Sequence, residues 1–121
     1  MTSLQIALDY DGTYTADPEL WNLFLGASRE RGHRIYIVTM RFEHEPIDPA
    51  AAAKADTVIY TGRTRKRDHL LAMGITIDIW IDDQPHFIFE NAAGGLLRAW
   101  RALRGQSTPT PVPGLPDRST P

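Results

Sequence analysis

The chain has no cysteine, which excludes disulfides and thiolate metal sites, so any bound metal must sit on oxygen or imidazole. It has no marked excess of either charge. Thirteen Lys and Arg face fifteen Asp and Glu, for a formal net charge of −2, which argues against nucleic-acid binding by bulk electrostatics. No apolar run approaches the roughly 20 residues that span a bilayer. The opening Met1-Thr2-Ser3-Leu4-Gln5 carries neither the basic nor the apolar region of a secretory leader. These absences lead to the expectation of a cytoplasmic protein without a membrane partner. His33, His44, His69 and His86 show no metal-ligand spacing, and there is no internal repeat.

What is present fits one ordinary globular domain: 121 residues, 42% hydrophobic and 23% charged. Residues 105–121 hold five of the nine prolines with several Ser and Thr, and read as a disordered tail. The expected folded domain is therefore 1–104.

The most informative stretch is Ile6-Ala7-Leu8-Asp9-Tyr10-Asp11-Gly12-Thr13. An apolar strand ends abruptly in two carboxylates one residue apart, and a glycine marks the turn. Ionised carboxylates in an apolar surround are costly unless a cation or hydrogen bonds offset them. The plainer reading makes Asp9 a strand-end cap and Asp11 a turn former.

The rest of the chain alternates helices and strands. Asp17-Pro18-Glu19 opens a helix, along which Leu20, Leu23, Phe24 and Ala27 recur at helical spacing until Gly32. Ile35–Val38 is a second strand, ending at Thr39. Asp48-Pro49 opens an alanine-rich helix to about Ala55, and Thr57–Tyr60 is a third strand. A basic helix spans about Arg65 to Met73, Ile77–Ile81 is a fourth strand ending in Asp82-Asp83, and Pro85 opens a short helical turn. A last helix is expected over 95–104. The alternation predicts a parallel α/β sheet with right-handed crossovers. If the first strand lies between the second and the fourth, Asp9, Asp11, Thr39, Asp82 and Asp83 meet at the switch point, where such sheets bind ligands. Four carboxylates there would repel one another unless a hard divalent cation shared them, and all-oxygen ligation favours Mg²⁺.

These motifs, in this order, resemble the four signatures of the haloacid-dehalogenase-like superfamily of phosphohydrolases. The matching residues are Asp9 to Thr13, Thr39, Lys66 and the pair Asp82-Asp83, spread over residues 4 to about 90. The resemblance implies a Rossmann-like three-layer sandwich with a small parallel sheet of order 3-2-1-4. It implies Asp9 as the nucleophile that accepts the phosphoryl group, Asp11 as general acid and base, and Thr39 as a hydrogen-bond donor to the phosphate. Lys66 would neutralise phosphate and nucleophile. Mg²⁺ would be held by the Asp9 carboxylate, the Asp11 main-chain carbonyl and Asp83, with Asp82 one step removed. Gly12, Thr13, Met40 and Arg41 are the expected substrate-binding residues.

Lys66 sits among Arg63, Arg65 and Arg67, and the expectation is one cation inside and three on a solvated face. Only a few residues separate Asp11 from the helix start at Asp17, and 40–56 holds a loop and one short helix. The resemblance therefore implies a capless enzyme with an open crevice, suited to phosphates of nucleotides or nucleic-acid ends, or to an oligomer whose neighbour supplies a lid. In the loop Met40–Glu45, Arg41 could meet a second phosphate and Phe42 a base, or the loop is merely solvated with Phe42 on the core. Arg98, Arg101 and Arg104 form a basic stripe that reads as a nucleic-acid contact or as a solvated face. Trp21, Trp80 and Trp100 read as core. Two functions follow: a Mg²⁺-dependent phosphomonoesterase, or a binding and regulatory module that keeps the pocket without useful catalysis.

Overall fold

A strand covered on both faces must be apolar at every position, because successive side chains point to opposite sides. Ile6, Ala7 and Leu8, and Ile35, Tyr36, Ile37 and Val38, meet that demand and are all buried. The computed structural model describes residues 2–92. In it, β1 (Gln5–Asp9), β2 (Arg34–Thr39), β3 (Thr57–Tyr60) and β4 (Ile79–Ile81) form one parallel sheet of order β3-β2-β1-β4. This is the α/β sheet and strand order expected from the sequence. The expected last helix with its arginine stripe and Trp100, and the tail 105–121, lie outside the described residues. Among the described residues, no helix is long and apolar enough to cross a membrane.

Helices α1 (Pro18–Glu30) and α2 (Pro49–Lys54) cover one face of the sheet, packing Leu25, Ala51 and Ala55 against Ile6, Leu8, Ile35 and Ile37. Helix α3 (Lys66–Ala72) covers the other, setting Leu70 against Ala7, Tyr36, Val38 and Ile59, and α4 (His86–Phe89) packs on α3. Both proline-started helices are capped as expected: Asp17 accepts from the Leu20 N–H at 3.2 Å and Asp48 from the Ala50 N–H at 3.0 Å. Trp21 and Trp80 are half-buried against the two cores.

Two local details differ from the sequence reading. The inner stripe of α1 is rotated: Leu20 and Leu23 are 51% and 74% exposed, while Leu25 and Ser28 are buried with Trp21 and Phe24 half-buried beside them. The choice between overlapping apolar stripes is made by packing on the sheet, not by helical period. The fourth strand also starts later than Ile77. The Asp78 carboxylate accepts the Gln5 N–H at 2.8 Å, and the Asp78 N–H donates to the Gln5 carbonyl at 2.8 Å. A side chain thus takes the place of a ladder bond, and regular pairing begins at Ile79.

The register brings the strand ends level. Leu8 lies between Ile37 and Ile81, and Asp9 opposes Val38, so Asp9, Thr39 and Asp82 emerge at one edge.

The rotated stripe is testable. Leu25→Ala should lose roughly 2–5 kcal/mol in urea denaturation, the usual range for emptying a core leucine site. Leu23→Ala should stay within about 0.5 kcal/mol of wild type. The reverse ranking would show that the other stripe faces the sheet.

Candidate active site

The β1 strand delivers Asp9 into the interior, where it is 8% exposed. The chain then turns at Gly12, whose φ of +86° is a left-handed conformation open to glycine. A β-carbon there would collide with the Asp83 carboxylate, so Gly12 is required both by its backbone and by the approach of the acidic pair. Thr13 is buried behind this turn. Its hydroxyl lies 3.1 Å from Asp9 Oδ2 and 3.2 Å from Asp83 Oδ1, and accepts the Asp83 N–H at 3.1 Å. Having a single proton, it donates to one of the two carboxylates at a time.

Lys66, the first residue of α3, is 3% exposed. Its ammonium donates to Asp9 Oδ1 at 2.8 Å and Asp82 Oδ2 at 2.5 Å. The second Asp82 oxygen accepts the Gln84 N–H at 2.9 Å. Of the neighbouring cations, Arg65 pairs with Asp68, Arg67 lies over the Phe89 ring, and Arg63 bonds the 40–45 loop. Lys66 alone reaches Asp9.

Carboxylate oxygens of Asp9, Asp82 and Asp83 all lie within 4.8 Å of one another. Among the described residues Lys66 bonds two of these acids, Asp9 and Asp82, and no cation bonds Asp83, so negative charge is left over there. Burial, and then the nearby Asp82, push the Asp9 carboxyl up from 3.8 to about 7, against the opposing pull of Lys66. An all-oxygen cluster carrying residual negative charge fits a hard divalent cation such as Mg²⁺. None of the four histidines belongs to this cluster. His33 accepts the Leu4 N–H, and His44 and His86 pack on Phe42 and Phe87.

Asp11 stands apart. Its carboxylate accepts from Arg41 Nε at 2.8 Å and Nη2 at 2.7 Å, at the exposed rim rather than in the acidic cluster. Thr39 is 1% exposed, and its hydroxyl accepts the Arg41 backbone N–H at 3.2 Å, which leaves its own proton free to donate. The loop after β2 is braced by Arg63, which adopts a φ of +72°. Its guanidinium bonds the Met40 carbonyl and the Glu45 carboxylate and lies 5.0 Å over the Phe42 ring. The Phe42 N–H, and then Arg63, hold the Glu45 carboxyl below its usual value. Phe42 is 40% exposed, stacked on His44 and seated on Gly62.

These groups surround one cavity of about 520 Å³, a usual size for a small-molecule site. It is lined by Asp9, Asp11, Gly12, Thr39, Met40, Arg41, Lys66, Asp82 and Asp83, together with Glu45, Arg63, Gln84 and Phe87. Every expected site residue except Thr13 lines it, and Thr13 lies behind, joining Asp9 to Asp83. Glu45, Gln84 and Phe87 carry no site reading in the sequence, although Gln84 and Phe87 follow the acidic pair closely. Arg63, expected with Arg65 and Arg67 on a solvated face, instead joins Lys66 in the cavity wall, because its left-handed backbone turns it toward Met40 and Glu45. Comparison with family models, curated proteins and solved structures finds no match for this chain.

The raised Asp9 carboxyl has a sign that can be measured. Without divalent metal, the folded chain keeps a proton on Asp9 up to about pH 7 that the unfolded chain releases near 3.8. Asp9 therefore costs the fold stability as pH rises through that window, at most about 1.4 kcal/mol per pH unit. Denaturant melts in EDTA should show wild type losing stability relative to Asp9→Asn between pH 5 and pH 8, with Mg²⁺ narrowing the gap. A gap that does not change with pH would mean that Asp9 ionises freely.

Proposed function

We propose that this chain is a Mg²⁺-dependent phosphomonoester hydrolase of the haloacid-dehalogenase-like type, with a capless site and an aspartyl-phosphate intermediate. One observation carries the reading: a buried carboxylate at the end of the central β1 strand, held at 2.8 Å by a buried lysine and grouped with two further acids. Such a carboxylate is placed to attack phosphorus, and the ammonium offsets the charge that builds there.

Asp9 forms the new oxygen–phosphorus bond as the ester phosphorus–oxygen bond breaks. Asp11, having taken a proton from solvent, gives it to the departing oxygen. It then takes a proton from the water that attacks the aspartyl-phosphate, releasing orthophosphate and restoring Asp9. Thr39 and Lys66 bind the phosphoryl oxygens, with Gly12 and Met40 supplying backbone around them. Mg²⁺, when bound, supplies charge neutralisation for the incoming phosphate. Asp9 and Asp83 are the carboxylates for it, with the Asp11 main-chain carbonyl. Both oxygens of Asp82 are already engaged, whereas among the described residues Asp83 Oδ2 accepts no hydrogen bond. The open cavity suits a phosphate at the end of a nucleotide or nucleic acid.

The test is orthophosphate release from p-nitrophenyl phosphate and from 3′- and 5′-phosphorylated oligonucleotides. Turnover should require Mg²⁺ and stop in EDTA. Asp9→Asn should abolish it, and Asp11→Asn should lower it by about 10²–10⁴, the usual worth of general acid–base catalysis. Activity retained by Asp9→Asn, or none toward any phosphoester by the folded, Mg²⁺-supplied protein, would refute the proposal.

A further inference from the structure

We infer that Arg41 is a partner-exchange site: a substrate with a second phosphate beside the transferring one draws the guanidinium off Asp11, and that exchange frees Asp11 to take a proton from solvent and pass it to the departing oxygen. The inference rests on the hydrolase reading and narrows its substrate to phosphomonoesters that carry another phosphate nearby.

The geometry points this way because of how fully the pair is engaged. Arg41 Nε and Nη2 occupy both oxygens of Asp11, at 2.8 and 2.7 Å. While that bidentate pair stands, the Asp11 carboxylate is turned to the rim and committed to a guanidinium, not to a leaving group or a water. The resting arrangement therefore withholds the residue that the reaction needs. The edge of the guanidinium that grips a carboxylate grips a phosphate with equal fit, since both present paired oxygens at matching spacing.

Arg41 does not depend on Asp11 to stay in place. Its Nη1 donates to the carbonyls of Pro46 at 3.0 Å and Glu45 at 3.4 Å, and its guanidinium lies 5.0 Å over the Tyr10 ring. The loop that carries it is held in turn by Arg63 on the Met40 carbonyl and by the Thr39 hydroxyl on the Arg41 N–H. When Asp11 leaves, a fixed cation with a vacant edge remains in the cavity wall. Asp11 has no comparable second anchor: its side chain is 55% exposed, and Arg41 holds the only hydrogen bonds it makes among the described residues. The pair is open to solvent, with side chains 32% and 55% exposed, and a phosphate dianion carries more charge than the carboxylate, so an anion delivered by the substrate can replace it.

Calorimetry on the full chain with Mg²⁺, in an Asp9→Asn background that blocks turnover, tests the exchange directly. The ligands are adenosine 5′-monophosphate, adenosine 3′-monophosphate and adenosine 3′,5′-bisphosphate. The bisphosphate should bind at least about tenfold tighter than either monophosphate, as expected for one added bidentate charged contact. Arg41→Gln should erase that advantage. Asp11→Asn should widen it, because the competing carboxylate is gone, and the two changes together should leave none. Arg41→Lys, which keeps the charge but not the paired donors, should retain only part of it. An advantage that survives Arg41→Gln, or that Asp11→Asn does not widen, overturns the inference. In the active protein, kcat for the bisphosphate should exceed kcat for the monophosphates, and Arg41→Gln should bring the values together. Turnover of none of the compounds with the binding cycle intact would instead remove the hydrolase reading while leaving the anion site at Arg41.

Discussion

The Lys66 ammonium sits between Asp9 and Asp82 at 2.8 and 2.5 Å and is 3% exposed. An ammonium in that position is tolerable only with carboxylates around it, and those carboxylates are tolerable only with the ammonium. The arrangement joins the end of β1 to the start of α3 and to the residue after β4 at one point of the sheet edge. It also leaves charge over, since Asp83 belongs to the same cluster and has no cation of its own among the described residues. A structure held together by a lysine alone would have had less reason to bring the third acid so close. The surplus is charge that a divalent cation could neutralise, whereas the Asp9 carboxyl is raised first by its burial and then by Asp82.

Much of the frame is readable from local signals. The strands announce themselves as short apolar runs, and the first two helices begin where Asp-Pro pairs cap them, at Asp17 and Asp48. Once strand order is granted, Asp9, Thr39 and Asp82 must fall at one edge, because a parallel sheet lines up the ends of its strands. What could not be read is set by contacts between distant segments. Leu23 and Leu25 are equally good helix residues, and only the sheet decides that Leu25 faces inward. Asp78 looks like part of an alternating strand until its carboxylate is seen to replace a ladder bond at Gln5. Arg63 looks like one member of a basic run, yet its left-handed backbone turns it toward Met40 and Glu45. Lys66 opens α3 on the side facing the sheet end, whereas Arg65 caps the helix from outside and Arg67 lies on another side of it, a difference that helix phase fixes and composition does not.

Asp9 and Asp11 illustrate how far position within one short motif can separate two identical side chains. Two residues apart on a continuing strand, they would share a face and an environment. The strand stops at Asp9, however, and the turn at Gly12 carries Asp11 outward. The result is one carboxylate with 9% side-chain exposure beside a lysine and another with 55% beside an arginine. The buried one is fixed by Lys66 and Thr13, which would suit the nucleophile of the proposed reaction, since such a group must hold its line to the reacting atom. The exposed one is held through both oxygens by a single partner, Arg41, and release from that partner would leave it free for the acid and base role of the proposed reaction. In the proposed hydrolase the two acids would take different roles because the backbone changes direction between them. Lengthening the strand by one pair of residues would put both acids in the same surroundings and remove the distinction on which that proposal depends.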